Sequence, residues 1–180
     1  MIYLALQLHL KEGAMVAIKR TVVIALVAMF SSLSAVLTYF TRVPSPTGGY
    51  THIGDTAIYT AALLFSTRIG LLVGIIGPLV TDLVVGYPRW YVTVIAHGLQ
   101  GFIAGLGFKR RTWLQVILAL LAGLVMSLTY FFVNIFVKGW APAVVSFLRD
   151  FFGQTLISVI ISLPIVKAVE KTGIQEKIIE

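Results

Sequence analysis

The twenty residues TVVIALVAMFSSLSAVLTYF, 21–40, carry no charge. At ~1.5 Å rise per residue a helix of that length spans about 30 Å, the thickness of a bilayer's hydrocarbon core. The stretch predicts a transmembrane helix, and the rest of the chain agrees with it. Of 180 residues, 58% are hydrophobic and 12% charged, and the mean hydropathy is +0.96. The expected fold class is an all-α polytopic membrane protein, built as a bundle of six transmembrane helices in one integral membrane domain, 1–180.

Upstream of that helix, MIYLALQLHLKEGA (1–14) has an apolar stretch with no basic region ahead of it and no cleavage site, which argues against a signal peptide. Met15 begins VAIKRTVVIALVAMF, a short basic lead into the span, and so reads as an alternative start, with residues 1–18 as a cytoplasmic N-terminal segment. Downstream, RVPSPTGGYTHIGD (42–55) holds two prolines and three glycines, which no continuous helix tolerates. A short second span, TAIYTAALLFST, follows at 56–67. The third runs from Ile69 to Val85 and contains Gly70, Gly74, Gly77 and Pro78; small residues at such spacing let helices approach closely where lipid supplies no hydrophobic drive. The fourth is WYVTVIAHGLQGFIAGLGF (90–108) and the fifth Thr112 to Val137. The sequence KGWAP reads as a turn before a sixth span from Ala143 to Lys167 and a cytoplasmic tail, 168–180.

The net charge is +7. In a soluble protein that would suggest nucleic acid, but the basic residues fill the short gaps between apolar runs and form no stripe with interleaved aromatics, so no nucleic-acid partner is expected. Six spans put both termini on one side. Lys11, Lys19, Arg20, Arg68, Lys109, Arg110, Arg111, Lys167, Lys171 and Lys177 fall on that side, against Arg42, Arg89, Lys138 and Arg149 on the other, which makes it the cytoplasmic one. The expected location is the plasma membrane of a prokaryote. Cysteine is absent, which closes every chemistry that needs a thiol.

An ionisable group inside a membrane costs about 2.5–3.5 kcal/mol at a helix centre, so each one needs a partner or a purpose. Between Glu12 and Glu170 the only acids are Asp55, Asp82 and Asp150. With Arg149, His52, His97, Asn134 and Gln154 they all fall in the outer half of the expected bundle, where Tyr87, Trp90 and Tyr130 also gather. Each has a structural reading. Asp55 can cap the second helix, Asp82 can pair with Arg149 or a neighbour, His97 can bond a backbone carbonyl, and the aromatics can form an interfacial belt. Together they suggest one outward-facing pocket, and a cavity of aromatic faces with a few polar groups suits a small planar heterocycle. The candidate binding residues are therefore His52, Asp55, Asp82, Tyr87, Trp90, His97, Tyr130, Asn134, Arg149, Asp150 and Gln154, with Gly48, Gly49 and Tyr50 as a lid. On the first span Ala28 and Ser32, and Ser31 and Ala35, are small residues four apart that could admit a partner helix.

Three runs, GYTHIGDTAIYTAALLF (49–65), GLLVGIIGPLVTDLVVGYPRW (70–90) and VTVIAHGLQGFIAG (92–105), resemble in order and spacing the substrate-binding S components of energy-coupling factor (ECF) vitamin transporters. The branch they look most like is the one associated with hydroxymethylpyrimidine, pyridoxine and pantothenate. The resemblance extends over residues 20 to about 107, and beyond that only by hydropathy. It implies a six-helix subunit that captures a vitamin or precursor from outside, with a transmembrane coupling subunit and two ATPases as partners. It also implies docking through the first helix at Ala28, Ser31, Ser32 and Ala35. No cofactor is expected on this chain, since ATP would be used by the partners, and no enzymatic activity. Where the branch carries lysine and glutamate, this chain has His97 and Gln100, and Ser66, Thr67 and Arg68 replace a customary glycine-proline.

Other readings have less behind them. The chain lacks the G-x-G-D of intramembrane aspartyl proteases and any phosphate-binding loop. His52, Asp55 and His97 are metal-ligand types, but they sit on separate elements with no local spacing signature, and no metal is expected. The principal alternative is an autonomous secondary carrier or channel, disfavoured by the lack of an inverted internal repeat.

Overall fold

The computed structural model describes the backbone of residues 2–179 and the side chains of residues 20–175, 177 and 178. Helix α1 spans Ile2–Thr41 and is followed by a two-stranded hairpin, β1 (Val43–Pro44) and β2 (Tyr50–Thr51), paired antiparallel with Val43 opposite Thr51. Then come α2 (Asp55–Leu64), α3 (Thr67–Val85), α4 (Trp90–Gly105), α5 (Thr112–Lys138) and α6 (Trp140–Leu148). A π-helical segment, Arg149–Thr155, continues into α7 (Leu156–Thr172), and α8 (Ile174–Ile179) closes the chain. The backbone of α1 thus extends well upstream of residue 21; the side chains of the expected segment 1–18 lie outside the described residues. The expected tail 168–180 begins as the last turn of α7.

The polarity of the packing is inverted relative to a water-soluble protein. Ser34, Thr38, Asp55, Gln100, Gln115, Ser127 and Thr155 are wholly buried, while Phe40 and Phe136 are 78% and 89% exposed. Aliphatic and aromatic residues such as Ile24, Leu83, Ile117, Phe132 and Ile160 cover the outside, as lipid demands. Among the described residues, four helical stretches are long and apolar enough to cross a membrane: Arg20–Thr41, Thr67–Val85, Thr112–Lys138 and Trp140–Thr172. Helices α2, of 10 residues, and α4, of 16 residues, fall short of a full bilayer, so length and composition support four spans where six were expected.

Every residue of α2 is buried, which makes it a central post rather than a lipid-facing span. It is packed by α1, α3, α4 and α7. The tightest seam lies between α3 and α4. A Cβ on Gly70 would come 2.4 Å from the Gly101 carbonyl oxygen, one on Gly101 2.0 Å from that of Gly70, and one on Gly74 2.1 Å from that of His97. Backbone meets backbone there, and that contact sets the height at which His97 stands beside α3.

Two local departures bear on the site. KGWAP is not a turn of five residues: only Gly139, at φ 85°, breaks the chain, and α6 begins at Trp140 with Pro142 inside its first turn, where a missing N–H costs nothing. The expected sixth helix is then interrupted by the π-helical segment. One extra residue per turn at Arg149–Thr155 rotates the following side chains and aims Asp150 and Gln154 inward.

Candidate functional site

The hairpin between α1 and α2 roofs one end of the bundle. Its turn closes through the Gly48 amide on the Ser45 carbonyl at 2.9 Å, with Gly48 and Gly49 at φ 80° and 81°, a region that glycine alone enters without strain. Three side-chain contacts hold it down. Lys138 Nζ donates to the Gly48 carbonyl at 2.9 Å, Thr47 Oγ1 meets Ser146 Oγ at 3.1 Å, and Thr51 Oγ1 donates to Gln154 Oε1 at 3.4 Å. Beneath the roof, the Tyr50 hydroxyl donates to Asp82 Oδ1.

Under this lid is a small cavity of about 30 Å³. Of the sequence candidates, His52, Asp82, Tyr87, His97, Tyr130, Asn134, Arg149, Asp150 and Gln154 line it. Its rings form a chain of edge and tilted contacts, Tyr87 to Tyr50 at 5.7 Å, Tyr50 to His52 at 5.6 Å, His52 to His97 at 5.9 Å and His97 to Tyr130 at 6.0 Å. Tyr130 is fixed by its hydroxyl on Thr93 Oγ1 at 2.7 Å, and Asn134 accepts from Arg89 Nη1 at 2.8 Å. Arg149 pairs with its neighbour Asp150, through Nε at 2.9 Å and Nη2 at 2.6 Å, and not with Asp82. Burial pushes the pKa of the Tyr50 and Tyr87 hydroxyls up, so both remain protonated donors.

Asp55 stands below the cavity instead of in its wall. It makes no capping bond on α2, whose N-cap is Gly54. Instead Oδ2 accepts from Gln100 Nε2 and Gln154 Nε2, both at 2.9 Å, and Oδ1 lies 3.3 Å from His97 Nδ1. Gln100 also donates to the Tyr59 hydroxyl at 2.9 Å, and its Oε1 lies 2.7 Å from His97 Nδ1. His97 is thereby held by side chains, not by a backbone carbonyl. The carboxylate, two amides and an imidazole form a buried polar floor that orients the His97 ring and Gln154 toward the cavity.

The same groups bring His52, Asp55 and His97 within 4.8 Å of one another, close enough for a shared cation. The two imidazole Nδ1 atoms are already engaged. His52 Nδ1 accepts from the Gly54 amide at 3.2 Å, and His97 Nδ1 faces Gln100 Oε1. A hydrogen-bonded floor accounts for the geometry. Burial holds the His52 imidazole, in the loop before α2, down at about 4, against the opposing pull of Asp55.

Trp90 is placed outside the cavity: it is 46% exposed and packs edge-on to Tyr91, the position of an interfacial belt residue. The α1 stripe also divides. Ala28 and Ser32 are exposed, whereas Ser31 is buried beside Gly77 of α3 and the Ala35 carbonyl accepts from Thr81 Oγ1 at 3.2 Å, so that pair serves packing within the chain. Thr93, Pro78 and Lys138 line the cavity without having been anticipated as binding residues. Helical spacing carried the signal for two of them, since Thr93 precedes His97 by four residues and Lys138 follows Asn134 by four.

Residues 17–171 match the protein family described as "ECF-type riboflavin transporter, S component". The chain belongs to that S-component family. An S component is a transporter subunit in a membrane, not an enzyme, and the family as a whole implies a small vitamin ligand and ECF partner subunits. Among curated proteins, the S component is similar to the "thiamine precursor transporter HmpT" of Lactococcus lactis subsp. cremoris, 31% identical over 154 residues that cover 84% of this chain and 89% of that protein. It is 36% identical over 119 residues, 64% of this chain and 80% of the relative, to an uncharacterized protein of Pyrococcus woesei. A shorter segment of 45 residues, 25% of each chain, is 47% identical to a UPF0397 protein of Streptococcus pneumoniae.

Proposed function

We propose that this S component captures a vitamin or vitamin precursor of the hydroxymethylpyrimidine, pyridoxine or pantothenate class from outside the cell and passes it to a coupling subunit driven by two ATPases. The observation that carries the proposal is the roofed cavity: a ring-lined space at one end of the bundle, with polar groups supplied by the hairpin, α3, α4, α5 and the π-helical segment. The similarity to a thiamine precursor transporter over most of both chains supports the pyrimidine member of the class. The binding set is His52, Asp82, Tyr87, His97, Tyr130, Asn134, Arg149, Asp150 and Gln154, with Asp55 and Gln100 positioning them from below.

In this reading the chain passes the membrane six times, with α2 and α4 completing their passes inside the bundle, and both termini lie in the cytoplasm. The exposed small residues Ala28 and Ser32 on α1 belong to the docking face for the coupling subunit. The chain needs no cofactor of its own. Isothermal titration of the purified protein in lipid nanodiscs against hydroxymethylpyrimidine, thiamine, pyridoxine, pantothenate and riboflavin tests this. Saturable one-to-one binding of one compound, with no flux in proteoliposomes lacking partners, is expected. Unaided flux would overturn the proposal in favour of an autonomous carrier.

A further inference from the structure

Two of the residues that line the cavity, Asp150 and Gln154, stand on the π-helical segment Arg149–Thr155. A π turn is rare and occurs mostly as a single turn inside an α-helix, so it persists where the side chains around it fix its register. The Gln154 amide is one such contact, donating to Asp55 Oδ2 at 2.9 Å. A second lies one residue further on, outside the cavity wall. Thr155, the last residue of the segment, is wholly buried against Gly123 of α5. A Cβ on Gly123 would fall 2.0 Å from Thr155 Cγ2, 2.5 Å from Thr155 Oγ1 and 2.7 Å from the Tyr59 hydroxyl of α2. One missing methyl group thus makes a notch that seats the end of the segment and brings Thr155 and Tyr59 side by side. Tyr59 is wholly buried too, and its hydroxyl accepts from Gln100 Nε2 at 2.9 Å, the same nitrogen that donates to Asp55.

We infer that Gly123 is a positioning residue for the ligand site: its notch locks Thr155, and with it the π register that aims Gln154 and Asp150 into the cavity. Tyr59 ties the same point to the polar floor under His97. The role presupposes that the cavity is the ligand site, since Gly123, Thr155 and Tyr59 do not line it themselves. Whatever they do to binding therefore travels through the residues they hold. An added methyl group at Gly123 meets side chains from two elements at once, and neither has room to retreat in a packed interior. Thr155 is displaced first, and Gln154, next to it in the chain, is turned away from Asp55 and from Thr51 of the hairpin.

The test is amide hydrogen exchange and ligand titration in nanodiscs on Gly123→Ala and Thr155→Ala, each alone and combined with Gln154→Ala. Without ligand, both single variants should raise exchange across residues 149–155 about 10-fold and leave the rest of α7 as in the wild type. An even rise along α5 and α7, or none at all, overturns the inference, because a glycine that serves packing alone loosens its surroundings as a whole. With hydroxymethylpyrimidine, or whichever compound of the titration series above the wild type binds, Gly123→Ala should weaken binding about 10-fold. In the Gln154→Ala background the same change should cost no more than about twofold, since the residue it acts through is gone. Losses that multiply, or an undiminished affinity in Gly123→Ala, overturn the inference and leave the S-component reading standing. No binding of any compound by the wild type overturns that reading and the ligand role of Gly123 together, while exchange still shows whether Gly123 holds the π register. If Gly123→Ala does not fold, Thr155→Ala, which empties the notch instead of overfilling it, carries both measurements.

Discussion

Asp55 and His97 meet at 3.3 Å beneath the cavity, one at the start of α2 and the other in the middle of α4, both essentially excluded from solvent. Neither position can be read as local chemistry, since 42 residues separate them and only the glycine seam between α3 and α4 brings His97 to that height. Asp55→Ala removes the acceptor of Gln100 and Gln154 and leaves His97 facing two unsatisfied amides. Breaking one partner out of such a buried network costs about 3–5 kcal/mol. A large drop in melting temperature in nanodiscs is expected, together with weaker ligand binding. The double variant Asp55→Ala/His97→Ala should lose less than the sum of the singles; strict additivity would show that the two residues do not act as a unit.

The α3–α4 seam makes a second prediction. At Gly101 an added Cβ would lie 2.0 Å from the Gly70 carbonyl oxygen, a backbone atom that cannot swing aside. Gly101→Ala should therefore force the helices apart and destabilise the protein by about 1–3 kcal/mol or more, as overpacking does. Gly86 is a control of the opposite kind, with open space around its Cβ position but φ 70°. Gly86→Ala should cost only about 1 kcal/mol, from backbone strain. Thermal unfolding of the two variants side by side measures the difference; a Gly101→Ala protein as stable as Gly86→Ala would refute the seam.

Much of this architecture was legible because lipid enforces simple rules. The uncharged stretches 21–40 and 112–137 announced their helices by length and composition, and the rarity of acids pointed to Asp82 and Asp150, which line the cavity. Other features were hidden for physical reasons. A π-helical turn at Arg149–Thr155 depends on packing against α5 and the hairpin, and no residue type encodes it. Ser31 and Ala28 look equivalent in sequence, and only the position of α3 decides which one is buried. Trp90 sits at a helix end, where belt and pocket readings look alike until the ring's direction is known. Asp55 was expected to cap α2, but its carboxylate has two side-chain amides within reach, which leaves its helix start to Gly54.

The lid yields a kinetic prediction. Lys138 Nζ on the Gly48 carbonyl is a single exposed hydrogen bond at 2.9 Å, joining the end of α5 to the hairpin tip. Such a bond contributes about 1 kcal/mol, so Lys138→Met should raise the ligand dissociation rate about fivefold while leaving the melting temperature nearly unchanged. Stopped-flow displacement reads the rate. An unaltered rate would mean that the Thr47, Tyr50 and Thr51 contacts hold the hairpin without Lys138.

Acid should loosen the same region through His52. Its imidazole is held at about 4 by burial in the folded protein, against an ordinary value of 6.5. The folded state therefore binds fewer protons than the unfolded state between these values, and stability falls as pH drops from 6.5 toward 4. The loss over that window is about 3 kcal/mol if His52 acts alone. The cause is visible in the structure: Nδ1 accepts the Gly54 amide at 3.2 Å, and a proton there would set N–H against N–H at the entry to α2. His52→Asn keeps an acceptor without a titrating group. Melting temperatures at pH 7.5 and pH 5 should differ clearly in the wild type and much less in His52→Asn. An equal acid sensitivity in both would assign the effect to the buried acids instead.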